Sequence, residues 1–152
     1  MRTRGIAVVP AVRKINQASD VAVGDLSAAT DWRLALQNCD AVIHLAARVH
    51  VMNETASDPL DAFRSVNVEA TVNLARQAIT AGVSRFVFVS SVKVNGEETS
   101  ERPYTAFDEP APTDPYGISK LEAEVALKKL AEETGLEVVI VRPPLILSLI
   151  HI

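Results

Sequence analysis

Short apolar runs alternate with stretches of helical spacing along this chain, the pattern of an α/β domain built on a parallel sheet. Residues 6–12 read as a first strand, with Pro10 marking an edge or a bulge. Residues 21–23 form a short second strand that ends at Gly24-Asp25-Leu26. A helix is predicted from an N-cap at Thr30 or Asp31 to about Asn38. Residues 41–46 are apolar at nearly every position, as a strand covered on both faces should be. The next helix covers about 60–81, with Val66, Ala70, Leu74 and Ala78 on one side and Gly82 ending it.

Residues 85–90 are the strongest strand, three β-formers bracketed by turns, and 94–115 is a long loop with four prolines. A loop of that length inside a compact domain is usually functional. Asp114-Pro115 then opens a helix, with a cap and a proline at the first position, that runs to about Thr134 and stops at Gly135. Leu121, Val125, Leu127 and Leu130 are expected to supply its buried side, and Glu124 with Lys128 an outward pair. The last strand is 137–142, followed by Pro143-Pro144.

Composition narrows the function classes. The 152 residues suffice for one domain with a real core, and a net charge of −4 with no basic stripe argues against nucleic acid or an anionic membrane as partner. No apolar run is long enough for a bilayer, and the single Cys39 cannot form an internal disulfide. A cytoplasmic protein is therefore expected, with Cys39 an inert, partly buried thiol. No metal-ligand set stands out.

The chemistry lies in Tyr116 and Lys120, four residues apart and so on one side of a helix near its N-terminal end. A free phenol, with a pKa near ~10, is a poor base at neutral pH. A nearby ammonium is expected to favour the phenolate, and Ser91 at the end of the preceding strand can donate to a substrate oxygen. Alone, a Tyr-x-x-x-Lys spacing recurs by chance. Here it opens a helix and follows a strand-terminal Ser90-Ser91, of which Ser91 is the better candidate.

With these residues in order, the chain resembles the extended short-chain dehydrogenase/reductases, the NAD-dependent epimerase/dehydratase family. The matching segments are Gly24-Asp25-Leu26, Val42-Ile43-His44-Leu45-Ala46-Ala47, Asn67-Val68, Phe88-Val89-Ser90-Ser91, Pro115-Tyr116-Gly117-Ile118-Ser119-Lys120 and Arg142-Pro143-Pro144. The resemblance implies a Rossmann-like, doubly wound parallel sheet that binds NAD or NADP. It implies Ser91, Tyr116 and Lys120 as the catalytic set, with Lys120 also reaching the cofactor ribose. Asp25 and Leu26 then match adenine contacts, Leu45, Ala46 and Ala47 a small-residue turn under the cofactor, and Pro143 and Pro144 the nicotinamide end. Asn67 matches a supporting helix residue, and His44 a core histidine. Arg13 and Lys14 stand where an acidic residue would favour NAD, and an arginine can accept a 2′-phosphate.

The implied substrate is a nucleotide sugar. Val92-Lys93-Val94-Asn95-Gly96, with residues 47–54, is similar to a bacterial subgroup labelled UDP-glucose 4-epimerase-like and associated with surface-polysaccharide sugars. The alternatives are a nucleotide-sugar 4-ketoreductase, a flavonoid or steroid reductase, and a non-catalytic NAD(P)-binding or regulatory module. A homodimer stays open for the full-length parent.

Both ends depart from the family. The usual first strand and Gly-rich phosphate loop are missing, and residues 1–5 look like the tail of the helix that should follow them. Residues 1–146 then read as a partial cofactor domain and 147–152 as a tail outside the family pattern, similar to translated adapter sequence. The absent strand would be the central one of the 3-2-1-4-5-6 order. A gap between two strand groups is expected, with marginal folding, poor cofactor binding and no activity for the chain by itself.

Overall fold

The computed structural model describes residues 5–49, 58–99 and 102–144. The expectations for residues 1–4, for 50–54 and for the 147–152 tail lie outside the described residues.

All strand pairings are parallel. β1 (Ala11–Val12) pairs with β2 (Val21–Ala22), while β3 (Ala41–His44), β4 (Arg85–Val89) and β5 (Glu137–Val141) form a second sheet in that order. Among the described residues no strand joins the two ladders, so the expected gap is present. The first strand is shorter than its apolar pattern. Its pairing spans two residues, flanked by hydrogen bonds from Val21 N to the Pro10 carbonyl and from Val23 N to that of Val12, and Ile6, Val8 and Val9 stay exposed. A strand extends only as far as it finds a partner.

The helix expected over 60–81 is broken into α1 (Pro59–Arg64), a π-helical turn (Ser65–Glu69) and α2 (Ala70–Thr80). Such insertions within a helix occur often at functional sites. The helix expected from Thr30 to Asn38 is a series of turns instead. Its backbone groups are taken by distant amides: Gln77 Oε1 accepts from Trp32 N at 2.9 Å, and Asn73 and Gln77 both donate to the Thr30 carbonyl. Asp31 accepts from Arg33 N at 3.0 Å, a cap-type bond, and from the Arg33 guanidinium, yet no helix follows it. Trp32 enters the core with Leu36, so packing wins over local propensity.

α3 (Pro115–Thr134) follows its signals: Asp114 accepts from Gly117 N at 2.6 Å, Pro115 leads, and Gly135 closes it at φ 76°. Its buried stripe is not the one apolarity suggested. Val125 is exposed, while Ser119, Lys120, Ala123, Glu124, Leu127 and Leu130 face inward. Glu124 is therefore no outward partner of Lys128; it is 0% exposed and bound to Arg142. The helix is turned so that its polar site residues sit inside.

Between the sheet and α2 and α3 lies the core, centred on Phe86, Phe88, Leu74, Ala78, Ala123 and Leu127. Val21, Val23 and Leu26 pack against the same core, joining the β1–β2 ladder to it. The other face of the larger sheet places Ile43, Val87 and Val139 in one register row, with Ile43 and Val139 exposed.

Candidate active site

Because the strands run parallel, the segments after their carboxyl ends carry the predicted site residues. Ser91 follows β4 in extended conformation and caps a short 3₁₀ turn (Val92–Val94), its Oγ accepting from Lys93 N at 3.2 Å. Val92 N donates to the Pro143 carbonyl at 3.0 Å, which stitches this turn to the segment after β5. Ser90 is buried and its Oγ has no partner among the described residues.

Tyr116 sits in the first turn of α3, half-buried, with the Phe63 ring edge-on at 6.3 Å and the Ser91 side chain close enough to favour its phenolate. The two residues that the sequence separates by the long loop are thus brought together. Burial pushes the phenol pKa above its ordinary value; the Ser91 hydroxyl opposes this, and the Asp114 charge adds to the rise.

That direction corrects the expectation of an acidified phenol. Lys120 lies one turn on, but its Nζ donates to the Val89 carbonyl at 2.8 Å and sits 4.0 Å over the Phe88 ring. The ammonium is 1% exposed, and burial lowers its pKa to about 8 against the pull of Glu124. Its charge is committed to the end of β4 rather than to the phenol or to an open ribose site. His44 stacks on that same Phe88 ring at 5.9 Å and meets Thr71 Oγ1 at 3.0 Å. It is a satisfied core histidine. Burial first, and the Lys120 charge second, lower its pKa to about 4.

The cofactor candidates also follow strand ends. Asp25 and Leu26 come after β2, Leu45, Ala46 and Ala47 after β3, and Pro143 and Pro144 after β5. Leu45 and Ala46 are exposed and Ala47 is half-buried, so this turn leaves backbone open to an approaching group. Asp25 Oδ1 pairs with Arg13 Nε at 2.7 Å across the β1–β2 ends, which links the two residues read as adenosine contacts.

Two supporting groups escaped the sequence reading or were underrated by it. Asn67, in the π-helical turn, accepts from Arg48 N at 2.8 Å and donates to Arg48 O at 3.1 Å and to Ser119 Oγ at 2.9 Å. Ser119 in turn donates to the Tyr116 carbonyl at 2.8 Å. One side chain therefore ties the turn after β3 to the first turn of α3. Its signal was an asparagine on the buried stripe of Phe63, Ala70 and Leu74. The second is Glu124, marked by its spacing of four from Lys120 and eight from Tyr116.

The profile of the NAD dependent epimerase/dehydratase family matches residues 2–149. The chain belongs to that family. This epimerase/dehydratase chain is 51% identical over 125 residues to the UDP-glucose 4-epimerase of Vibrio cholerae, covering 82% of itself and 38% of that protein. To the UDP-glucose 4-epimerase of Rhizobium meliloti it is 38% identical over 112 residues, 74% of this chain and 33% of the other. A short-chain dehydrogenase/reductase superfamily protein from Agrobacterium tumefaciens, solved with bound NAD, superposes at a TM-score of 0.75 with 32% identity. That match covers 93% of this chain and 42% of the solved one. RMD from Pseudomonas aeruginosa, complexed with NADPH, gives a TM-score of 0.61 and 32% identity over 69% of this chain and 36% of that one. The fold is thus Rossmann-like. Among the described residues no helix is long and apolar enough to cross a membrane, and no group of acids, histidines or cysteines is placed to hold a metal ion.

Proposed function

We propose that the chain is the cofactor-binding part, residues 1–146, of an NAD(P)-dependent nucleotide-sugar epimerase acting at a sugar C4, with Ser91, Tyr116 and Lys120 as its reactive set. The observation that carries this reading is the Tyr116 phenol, half-buried and beside the Ser91 side chain at the carboxyl ends of the sheet. A proton carrier and a second hydroxyl at one spot can serve a single substrate oxygen.

The residues present fit a dinucleotide. The exposed Leu45-Ala46 turn and the Asp25–Arg13 pair lie after parallel strands, where open α/β sheets bind such ligands. Bound nicotinamide would supply a hydride carrier and, when oxidised, a positive charge near the phenol. Tyr116 Oη would give its proton to a sugar carbonyl oxygen, or take it from the hydroxyl in the reverse direction. Ser91 Oγ would donate to the same oxygen as negative charge gathers on it. Lys120, anchored on Val89 O, would hold its charge at the end of β4 beside the bound cofactor rather than touch the sugar. Asp25 with Arg13 would meet the adenosine end, and Pro143 and Pro144 would flank the nicotinamide end.

Burial keeps the phenol in its protonated form, the form a nucleotide-sugar 4-ketoreductase starts from, so that activity is the second reading. UDP-glucose and a 4-keto sugar nucleotide, each offered with NAD and with NADPH, separate the two by product. In the full-length protein Tyr116→Phe is expected to cut turnover by roughly 10²–10⁴ while cofactor binding, read by fluorescence titration, stays close to wild type. Equal turnover in the two proteins refutes the assignment. A wild type that binds cofactor but turns over neither sugar class points to a binding module instead.

A further inference from the structure

The buried ion pair of Glu124 and Arg142 is used by nothing described so far. The Glu124 carboxylate is 0% exposed and accepts from Arg142 Nε at 2.9 Å and from its second terminal nitrogen at 2.6 Å. The remaining Arg142 nitrogen reaches Asn95 Oδ1 at 3.3 Å, and the Asn95 amide nitrogen has no partner among the described residues. Three segments meet here: α3 with Tyr116 and Lys120, the end of β5 before Pro143, and the turn that Ser91 caps. A buried ion pair is weak support for stability, because removing two charges from water cancels much of their attraction. Its retention needs another reason.

Electrostatics supplies one. Lys120 is a buried cation whose hydrogen-bond partner is a neutral carbonyl. The groups around it, element by element, are His44 from β3, the Phe88 ring and Val89 carbonyl from β4, and Tyr116 and Glu124 from α3. Arg142, beyond β5, acts through Glu124. From α2 and the π-helical turn come uncharged Thr71 and Asn67, and from the 3₁₀ turn uncharged Asn95. Lys93 is neutralised by Glu97 and Asp114. Glu124 is thus the negative charge in this set that faces Lys120, and Arg142 fixes where its carboxylate points.

We propose that Glu124 is a positioning residue that keeps Lys120 protonated, its carboxylate held on α3 by Arg142 so that a cation persists at the end of β4, one turn of α3 from Tyr116. This rests on the Ser91–Tyr116–Lys120 reading above. Burial draws the Lys120 pKa down to about 8 even with Glu124 beside it, so losing that neighbour would take the amine further towards its neutral form.

The test titrates Lys120 directly in the full-length protein, by NMR of lysine labelled at Cε and Nζ, with Lys120→Arg assigning the resonance. Glu124→Gln keeps the shape and a hydrogen bond to Arg142 and is expected to lower the midpoint by at least about one unit, tenfold in proton affinity. Asn95→Asp adds a carboxylate at the far side of Arg142, where no hydrogen bond of the amide nitrogen is lost, and is expected to raise the midpoint. It serves where Glu124→Gln does not fold. A folded variant of either kind with an unmoved Lys120 midpoint overturns the proposal, whereas a purely structural role would change melting temperature alone. Because the readout needs no turnover, its failure leaves the Tyr116→Phe test standing on its own.

Discussion

Lowering the pH from 7 to 5 should destabilise this fold through one side chain. His44 is 4% exposed, its pKa is lowered to about 4 from the model-peptide 6.5, and the Lys120 charge stands nearby. A group whose folded pKa is depressed contributes stability that is complete above the unfolded value and is lost as pH falls through the folded one. The window is therefore about 6.5 to 4. Within it the unfolded chain takes up a proton that the folded chain refuses, and linkage gives a loss of about 2 kcal/mol at pH 5 and about 3 kcal/mol at pH 4. With a urea slope of about 1–3 kcal/mol/M, the denaturation midpoint should fall by roughly 1 M between pH 7 and 5. Carboxylates do not mask this, since Asp31 and Asp108, held low by Arg33 and Arg102, lose their contributions below the ordinary carboxylate range. His44→Gln, which can still reach Thr71 Oγ1, should flatten the curve between pH 6.5 and 5. A wild-type midpoint that is level across this window, or a slope that survives in His44→Gln, refutes the argument.

Two other substitutions test how the site is held. An added Cβ at Gly117 would lie 2.8 Å from the Lys93 carbonyl and 3.1 Å from Pro112 Cβ, so the turn capped by Ser91 must move away. Gly117→Ala should lose about 1–3 kcal/mol by overpacking, read by urea titration, and at least about tenfold in kcat; a folded variant with wild-type kcat would show that the Ser91–Tyr116 spacing is not critical. Asn67→Ala removes the side chain that bridges Arg48 and Ser119, with a loss of about 1–3 kcal/mol and weaker cofactor binding, both measurable by titration. Cofactor affinity unchanged in that variant would separate the turn after β3 from the dinucleotide.

Much of the scaffold was legible because its signals are local. Asp114, Pro115 and Gly135 bound α3, and the run of β-formers around Phe86 and Phe88 gives β4, with no help from distant residues. The reading went astray where distant groups compete with local ones. Gln77 and Asn73 take the backbone of Thr30 and Trp32, which dissolves a helix that the N-cap pattern promised. Glu124 and Lys120 look like solvent-facing charges by type, yet the carbonyl of Val89, the ring of Phe88 and the guanidinium of Arg142 wait for them inside.

The order of residues by itself determined the family and the alternation of strands and helices, and it marked the side chains proposed here to carry the chemistry, since these depend on residue type and spacing along one chain. Folding decided the charge states. A phenol raised by burial, an amine lowered by it and a carboxylate hidden beside an arginine all reflect how much water each group loses and which partner replaces it. Solvation and through-space neighbours have no signature in a linear spacing, so only the packed molecule could set them.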